Sequence, residues 1–154
     1  MTEVWFYHLT SQPLERTLPV LLERSIERKW KAVVQATSDE RIAALDALLW
    51  TYSDSSFLAH GSARDGDGAL QPVYLTTDAE NPNGAVIRFF VDGAAIAPVL
   101  NEQPDAYQRM ILLFDGNDDD LLADARAQWK ALKAQGRDLS YWQQNDDGRW
   151  AKKA

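Results

Sequence analysis

The sequence predicts a three-layer α/β fold built on a mainly parallel sheet. Short runs rich in β-branched and aromatic residues alternate with stretches in which apolar residues recur every three or four positions. The connections are short, and no internal repeat or low-complexity segment interrupts this order. Alternating strands and helices with short links place helices on both faces of one sheet. We therefore expect residues 1–154 to form a single α/β domain.

The first part of the chain is predicted to contain two strand–helix units. Residues 3–8, EVWFYH, form the first strand because they are aromatic and β-branched and precede a Thr-Ser-Gln-Pro turn. Residues 13–30 show a helical apolar stripe, but Pro19 lies inside it, which makes residue 19 an alternative start of the helix. A second strand at 32–36 is followed by a helix that begins at Ser38.

The rest of the chain continues the alternation after a polar connection. Residues 52–71 are rich in Ser, Asp and Gly, and we interpret them as a surface loop. Strands are expected at 72–76 and 85–91, divided by the turn 81–84, and a less regular stretch covers 93–105. The apolar run 107–114 fits a buried strand or a helix end, and we favour the strand.

The clearest helix spans residues 118–135. Acidic residues lie at its start, basic residues lie late in it, and Gly136 follows as a stop signal. A last strand is predicted at 139–143.

Composition excludes several classes of protein. Sixteen Lys and Arg against 23 Asp and Glu give a net charge of −7, the wrong sign for wrapping nucleic acid, so direct DNA binding is not expected. The absence of cysteine excludes disulfides, thiolate metal sites and cysteine nucleophiles. Neither a secretory signal nor a membrane-length apolar run is present, so we expect a cytoplasmic protein without membrane contact.

The residues available for catalysis are few. His8 ends the first strand, where parallel α/β folds place ligands, although a structural histidine is the favoured interpretation. His60 lies near several serines, but no Gly-x-Ser-x-Gly elbow accompanies it. No glycine-rich phosphate loop follows a strand. A nucleotide-binding domain or small enzyme with its site near His8 remains the alternative to a non-catalytic protein, and no cofactor is predicted.

The acidic run at 115–120 does not fit a calcium loop. An EF-hand needs Gly at its sixth position and Glu at its twelfth, where this chain has Asp120 and Arg126. We favour the interpretation that these carboxylates cap the following helix. No metal ligand is therefore predicted.

The same helix carries a basic row. Arg126, Lys130 and Lys133 are spaced by four and three residues, which places them on one face with Trp129 at its border. An Arg side chain can bind a carboxylate through two parallel hydrogen bonds, and a Trp ring provides a flat apolar surface. The row therefore suits an acidic peptide with an aromatic residue or a free C-terminus. A solvated outer face near a helix C-terminus is the alternative, and the pattern alone favours it.

Two further aromatic residues are candidates for an interface. Trp50 ends the second helix one step past its apolar stripe, and Phe57 stands in the polar connection seven residues later. Exposed aromatic residues often anchor protein interfaces. A loop that folds back and buries both side chains fits the pattern equally well.

An ordered set of short motifs resembles one known family. Together the motifs resemble the chi subunit of bacterial DNA polymerase III, in order and spacing, from residue 3 to about 150. The motifs are FYHL at 6–9, LDALLW at 45–50, SFLAHG at 56–61, QPV at 71–73, NPNG at 81–84, LFDG at 113–116, and RAQWK at 126–130 before Gly136.

The resemblance implies a non-catalytic accessory subunit of the clamp loader with a Rossmann-like fold. Such a subunit pairs with the psi subunit and separately binds the acidic C-terminal tail of single-stranded DNA-binding protein. By position, Arg126 and Trp129 match the tail-binding residues, with Lys130 assisting. Trp50 and Phe57 match aromatic residues directed to psi or a competing helicase.

Two departures from the family concern the tail site. Leu122 stands where some relatives carry a further tail-binding lysine, which makes Lys133 a substitute contact. Trp129 replaces a tyrosine, which keeps the wall and removes a hydroxyl donor. The role of residues 141–154 is not assigned by the resemblance.

Overall fold

A computed structural model describes residues 2–51, 60–62, 68–147 and 149–154. The described helices are α1 (Leu14–Glu27), α2 (Asp39–Thr51), α3 (Ile96–Glu102) and α4 (Asp119–Ala134). The described strands are β1 (Glu3–Leu9), β2 (Ala32–Gln35), β3 (His60–Ser62), β4 (Val73–Thr76), β5 (Ile87–Phe90), β6 (Arg109–Asp115), β7 (Asp138–Gln144) and β8 (Trp150–Lys152). No described helix is long and apolar enough to cross a membrane.

The described strands form one sheet in the order β3-β4-β2-β5-β6-β1-β7-β8. All neighbours pair in parallel except β7 and β8, which form an antiparallel edge. The long strand β1 lies between β6 and β7, so that His8 is opposite Phe114 on one side and Gln143 on the other. The predicted mainly parallel α/β architecture is confirmed.

Helices cover both faces of the sheet. α1 and α2 pack on one hydrophobic core, to which Leu45 contributes, whereas α3 and α4 pack on a second core that contains Leu132. Adjacent residues of β1 divide between the two, with Tyr7 in the first core and Phe6 in the second. This alternation is expected of a strand whose two faces are both covered. It directs Phe6 and His8 to the face on which α4 lies.

The main elements predicted from the sequence are present, and 109–115 is a strand, as favoured. The alternative start of the first helix at Pro19 is wrong. The helix begins at Leu14, and Pro19, its sixth residue, is buried. Burial of the apolar face therefore outweighs the backbone hydrogen bond that proline removes.

Besides a 3-10 turn at Gly68–Leu70, three short elements were not predicted. β3 lies inside the segment interpreted as a surface loop, α3 lies inside the less regular stretch, and β8 follows the strand expected to be last. Three-residue strands carry no readable periodicity, and these two exist because a neighbouring strand provides hydrogen-bonding partners. α3 has only seven residues, too few for a clear apolar period.

Candidate functional site

The loop after β1 occupies the position where a nucleotide-binding α/β fold holds phosphate. In such folds the backbone N–H groups of this loop bind the phosphate oxygens. Here the N–H groups of Thr10, Ser11 and Gln12 point to the Oε1 atom of Gln144, at 3.1, 3.3 and 3.2 Å. Gln144 is buried at the end of β7. The chain thus satisfies these donors with its own side chain, which counts against the nucleotide-binding alternative.

His60 has a structural environment. Its side chain is 0% exposed, and its Nε2 atom lies 2.9 Å from Oδ1 of Asp46 on α2. A general base must reach its substrate, and this imidazole has no exposed surface with which to do so. The serines at positions 53, 55 and 56 lie outside the described residues.

The acidic run before α4 caps that helix, as predicted. The Asp118 side chain accepts hydrogen bonds from the backbone N–H groups of Asp120 and Leu121. Asp119 and Asp120 lie in the first turn, where negative carboxylates interact favourably with the positive end of the helix dipole. At the other end Gly136 has a φ of 74°, the left-handed conformation that terminates many helices. No group of three or more metal-ligating side chains occurs in the described parts of the chain.

The predicted basic row lies on the outer surface of α4. Arg126, Lys130 and Lys133 are all exposed, and Lys133 lies in the last turn. Leu122, one turn before Arg126, is half-buried and packs toward the second core. We refer to Arg126, Trp129, Lys130 and Lys133 together as the α4 surface.

Trp129 connects the α4 surface to the sheet. Its ring is half-buried and meets Phe6 of β1 and Tyr141 of β7 edge-on, with centroid distances of 5.2 and 5.6 Å. Aromatic pairs of this geometry contribute about 0.5 to 1.5 kcal/mol beyond burial. The ring is therefore held in a defined orientation, and its remaining surface adjoins the basic row.

His8 and Tyr141 lie beside Arg126. The Nδ1 atom of His8 is 2.8 Å from the Tyr141 hydroxyl, and the imidazole packs on Phe114 with centroids 5.1 Å apart. Burial lowers the pKa of His8, Arg126 lowers this pKa further, and Asp115 opposes both effects. Burial also raises the pKa of the Tyr141 hydroxyl, which Arg126 opposes. Arg126 is thus within electrostatic reach of both groups.

Gly116 provides the space for the His8 imidazole. A Cβ atom on Gly116 would lie 1.7 Å from Nε2 of His8, far inside contact distance. The sequence indicated His8 only as a candidate for the alternative site and predicted no role for Tyr141. The alternation of side chains along β1 could have placed His8 on the same face as Phe6. The contact with Tyr141 also depends on the pairing of β1 with β7, which is known only from the strand order of the sheet.

Of the second predicted surface, the structure describes one residue. Trp50 is 57% exposed near the end of α2, and its ring centroid lies 5.0 Å from that of His60. A large exposed apolar ring on a rigid helix is a suitable interface anchor. Phe57, its predicted companion, lies outside the described residues. Nothing in the described contacts joins Trp50 to the α4 surface.

The fold and the site define a Rossmann-like α/β domain without a glycine-rich phosphate loop. The family model for the DNA polymerase III chi subunit, HolC, matches residues 1–140. A curated protein of Rickettsia prowazekii (strain Madrid E), named probable DNA polymerase III subunit chi, is 30% identical over 117 residues, which cover 75% of this chain and 71% of the relative.

The chain therefore belongs to the DNA polymerase III chi subunit family, and the resemblance found in its motifs is confirmed. Its role is that of an accessory subunit in DNA replication. Tyr141 and Gln144 lie just beyond the residues that the family model matches.

Proposed function

We propose that this chain is a non-catalytic, single-domain adaptor of the clamp-loader complex in the cytoplasm. The α4 surface binds the acidic C-terminal tail of single-stranded DNA-binding protein, and the surface around Trp50 and Phe57 binds the psi subunit. Two separate contacts of this kind bridge the polymerase to protein-coated single-stranded DNA without direct DNA binding. No cofactor takes part.

The observation that carries the tail site is the exposed Arg126 beside the fixed ring of Trp129. A guanidinium binds a carboxylate through two parallel hydrogen bonds, which an ammonium cannot reproduce. Lys130 and Lys133 extend the positive charge along the helix, so a tail with several carboxylates meets more than one cation. The chain as a whole is acidic, with a net charge of −7, so surfaces away from the basic row repel the tail.

Tail binding is tested by fluorescence anisotropy with a labelled peptide that copies the acidic C-terminus. We expect saturable binding that weakens with added salt, because exposed charges are screened. Arg126→Ala removes a charge-assisted pair worth about 1 to 3 kcal/mol, which corresponds to a loss of affinity of about 5- to 150-fold. Trp50→Ala leaves tail binding unchanged and weakens binding to purified psi.

The matched control is Arg16→Ala. Arg16 is exposed on α1, in the opposite helical layer, so this variant changes the net charge equally without touching the α4 surface. Overlapping titrations for wild type, Arg126→Ala and Arg16→Ala at low salt contradict the assignment of the tail site. Equal loss in both variants indicates a response to net charge only.

A further inference from the structure

One imidazole nitrogen beside the α4 surface makes no hydrogen bond to the described part of the chain. His8 Nδ1 bonds to the Tyr141 hydroxyl, whereas Nε2 makes no hydrogen bond within the described residues and is not among their buried, unpaired atoms. Phe114 supports one side of the ring, and Gly116 leaves room for it. The imidazole is therefore held in place with one nitrogen available to a ligand.

The hydrogen bond to Tyr141 is compatible with both charge states of His8. The phenol can donate to Nδ1 when the imidazole is neutral, which leaves the proton on Nε2, and can accept from Nδ1–H when the ring is cationic. In each state Nε2 carries a hydrogen and can donate a hydrogen bond. Only the cationic state adds a charge beside Arg126, and hydrogen bonds from charged donors are about twice as strong.

We propose that His8, oriented by Tyr141, is a second carboxylate contact of the tail site and binds the acidic tail more tightly when protonated. This inference rests on the proposed function of the α4 surface. It also assigns a role to Tyr141, which lies beyond the residues shared with the family model.

The direction of the pH effect follows from the groups that face His8. Arg126 faces it from α4, Asp115 from the end of β6, and Tyr141 from β7. Burial and Arg126 lower the pKa of His8 below its ordinary value of 6.5, so the free protein carries a neutral imidazole at neutral pH. A carboxylate bound between Arg126 and His8 favours the cation. By linkage, binding then takes up a proton and strengthens as the pH falls.

The first measurement is the tail affinity at pH 7.5 and pH 5.5, at constant ionic strength. Carboxyl groups in a flexible peptide ionise with a pKa of about 3.9 for Asp and about 4.3 for Glu, so the tail stays ionised over this range. We expect wild-type affinity to rise about three- to tenfold at pH 5.5, the size of a typical coupling between two sites. His8→Gln keeps a polar side chain of similar reach that cannot be protonated, so its affinity stays flat.

The second measurement is the NMR titration of the His8 ring protons with and without the peptide. The His8→Gln spectrum assigns the signal. We expect saturating peptide to raise the pKa of His8, and Tyr141→Phe to weaken the response because the ring loses its anchor. Urea denaturation of each variant establishes that it is folded.

The outcomes separate the two proposals. If the peptide binds wild type and His8→Gln with the same pH dependence, or leaves the His8 titration unmoved, this inference is wrong and the proposed tail site stands. If the peptide does not bind wild type at either pH, both are wrong. A proton-linked gain that disappears in His8→Gln, with a raised His8 pKa, supports the inference.

Discussion

Gln144 makes a contact whose loss has a calculable cost. Its Oε1 atom accepts hydrogen bonds from three consecutive backbone N–H groups of the β1–α1 loop, those of Thr10, Ser11 and Gln12. Gln144→Ala removes the acceptor of all three at once. Each hydrogen bond contributes about 1 kcal/mol net, and a donor that water cannot reach after the substitution costs more. The expected destabilisation is therefore about 2 to 4 kcal/mol.

The free energy of unfolding is measured by urea denaturation, followed by tryptophan fluorescence. With a urea slope of about 2 kcal/mol per molar, the midpoint falls by about 1 to 2 M in Gln144→Ala. Gln143→Ala is the matched control, because Gln143 is the half-buried neighbour whose side chain makes no hydrogen bond in the described structure. Gln144→Glu keeps an oxygen acceptor and is expected to lie within about 1 kcal/mol of wild type.

The result that refutes this account is a Gln144→Ala midpoint equal to that of wild type. Water would then satisfy the loop donors as well as the glutamine does, and Gln144 would not be needed to fill the loop. Equal losses in Gln144→Ala and Gln143→Ala would point instead to general weakening of β7.

Two other substitutions test the packing around the sheet. Gly116→Ala forces the His8 ring away from Tyr141 and should cost about 1 to 3 kcal/mol by overpacking, with the His8 pKa rising toward its ordinary value as the ring reaches solvent. Arg88→Met should cost about 3 kcal/mol or more, because the buried guanidinium holds Gln35 and two backbone carbonyls. Urea denaturation measures the stability of both variants, and NMR follows the pKa of His8 in Gly116→Ala. An unchanged His8 pKa contradicts the proposed packing of His8 on Gly116. An Arg88→Met variant as stable as wild type contradicts the role given to the Arg88 hydrogen bonds.

Local signals were sufficient for α4. Capping by Asp118, the terminal Gly136 and the apolar period all act within a few residues, so each could be predicted before any tertiary contact was known. The same holds for the spacing that places Arg126, Lys130 and Lys133 on one exposed face. The family followed from motifs that lie in order along the chain, and the family model agrees over residues 1–140.

Contacts between distant segments could not be predicted in this way. β3 and β8 are too short to show a pattern and become strands because β4 and β7 pair with them. Pro19 remains inside α1 because the helix face is buried. Local propensity is a weak determinant where packing decides the outcome.

The sequence by itself determined the α/β class, the family and the basic row, since periodicity, helix signals and ordered motifs are properties of neighbouring residues. Only the tertiary structure decided what surrounds that row. His8 meets Tyr141 across 133 positions, and the loop at Thr10 meets Gln144 across 134, because β1 and β7 are adjacent in the sheet although they lie at opposite ends of the chain. Strand order depends on the pairing of whole segments, and no local pattern encodes it.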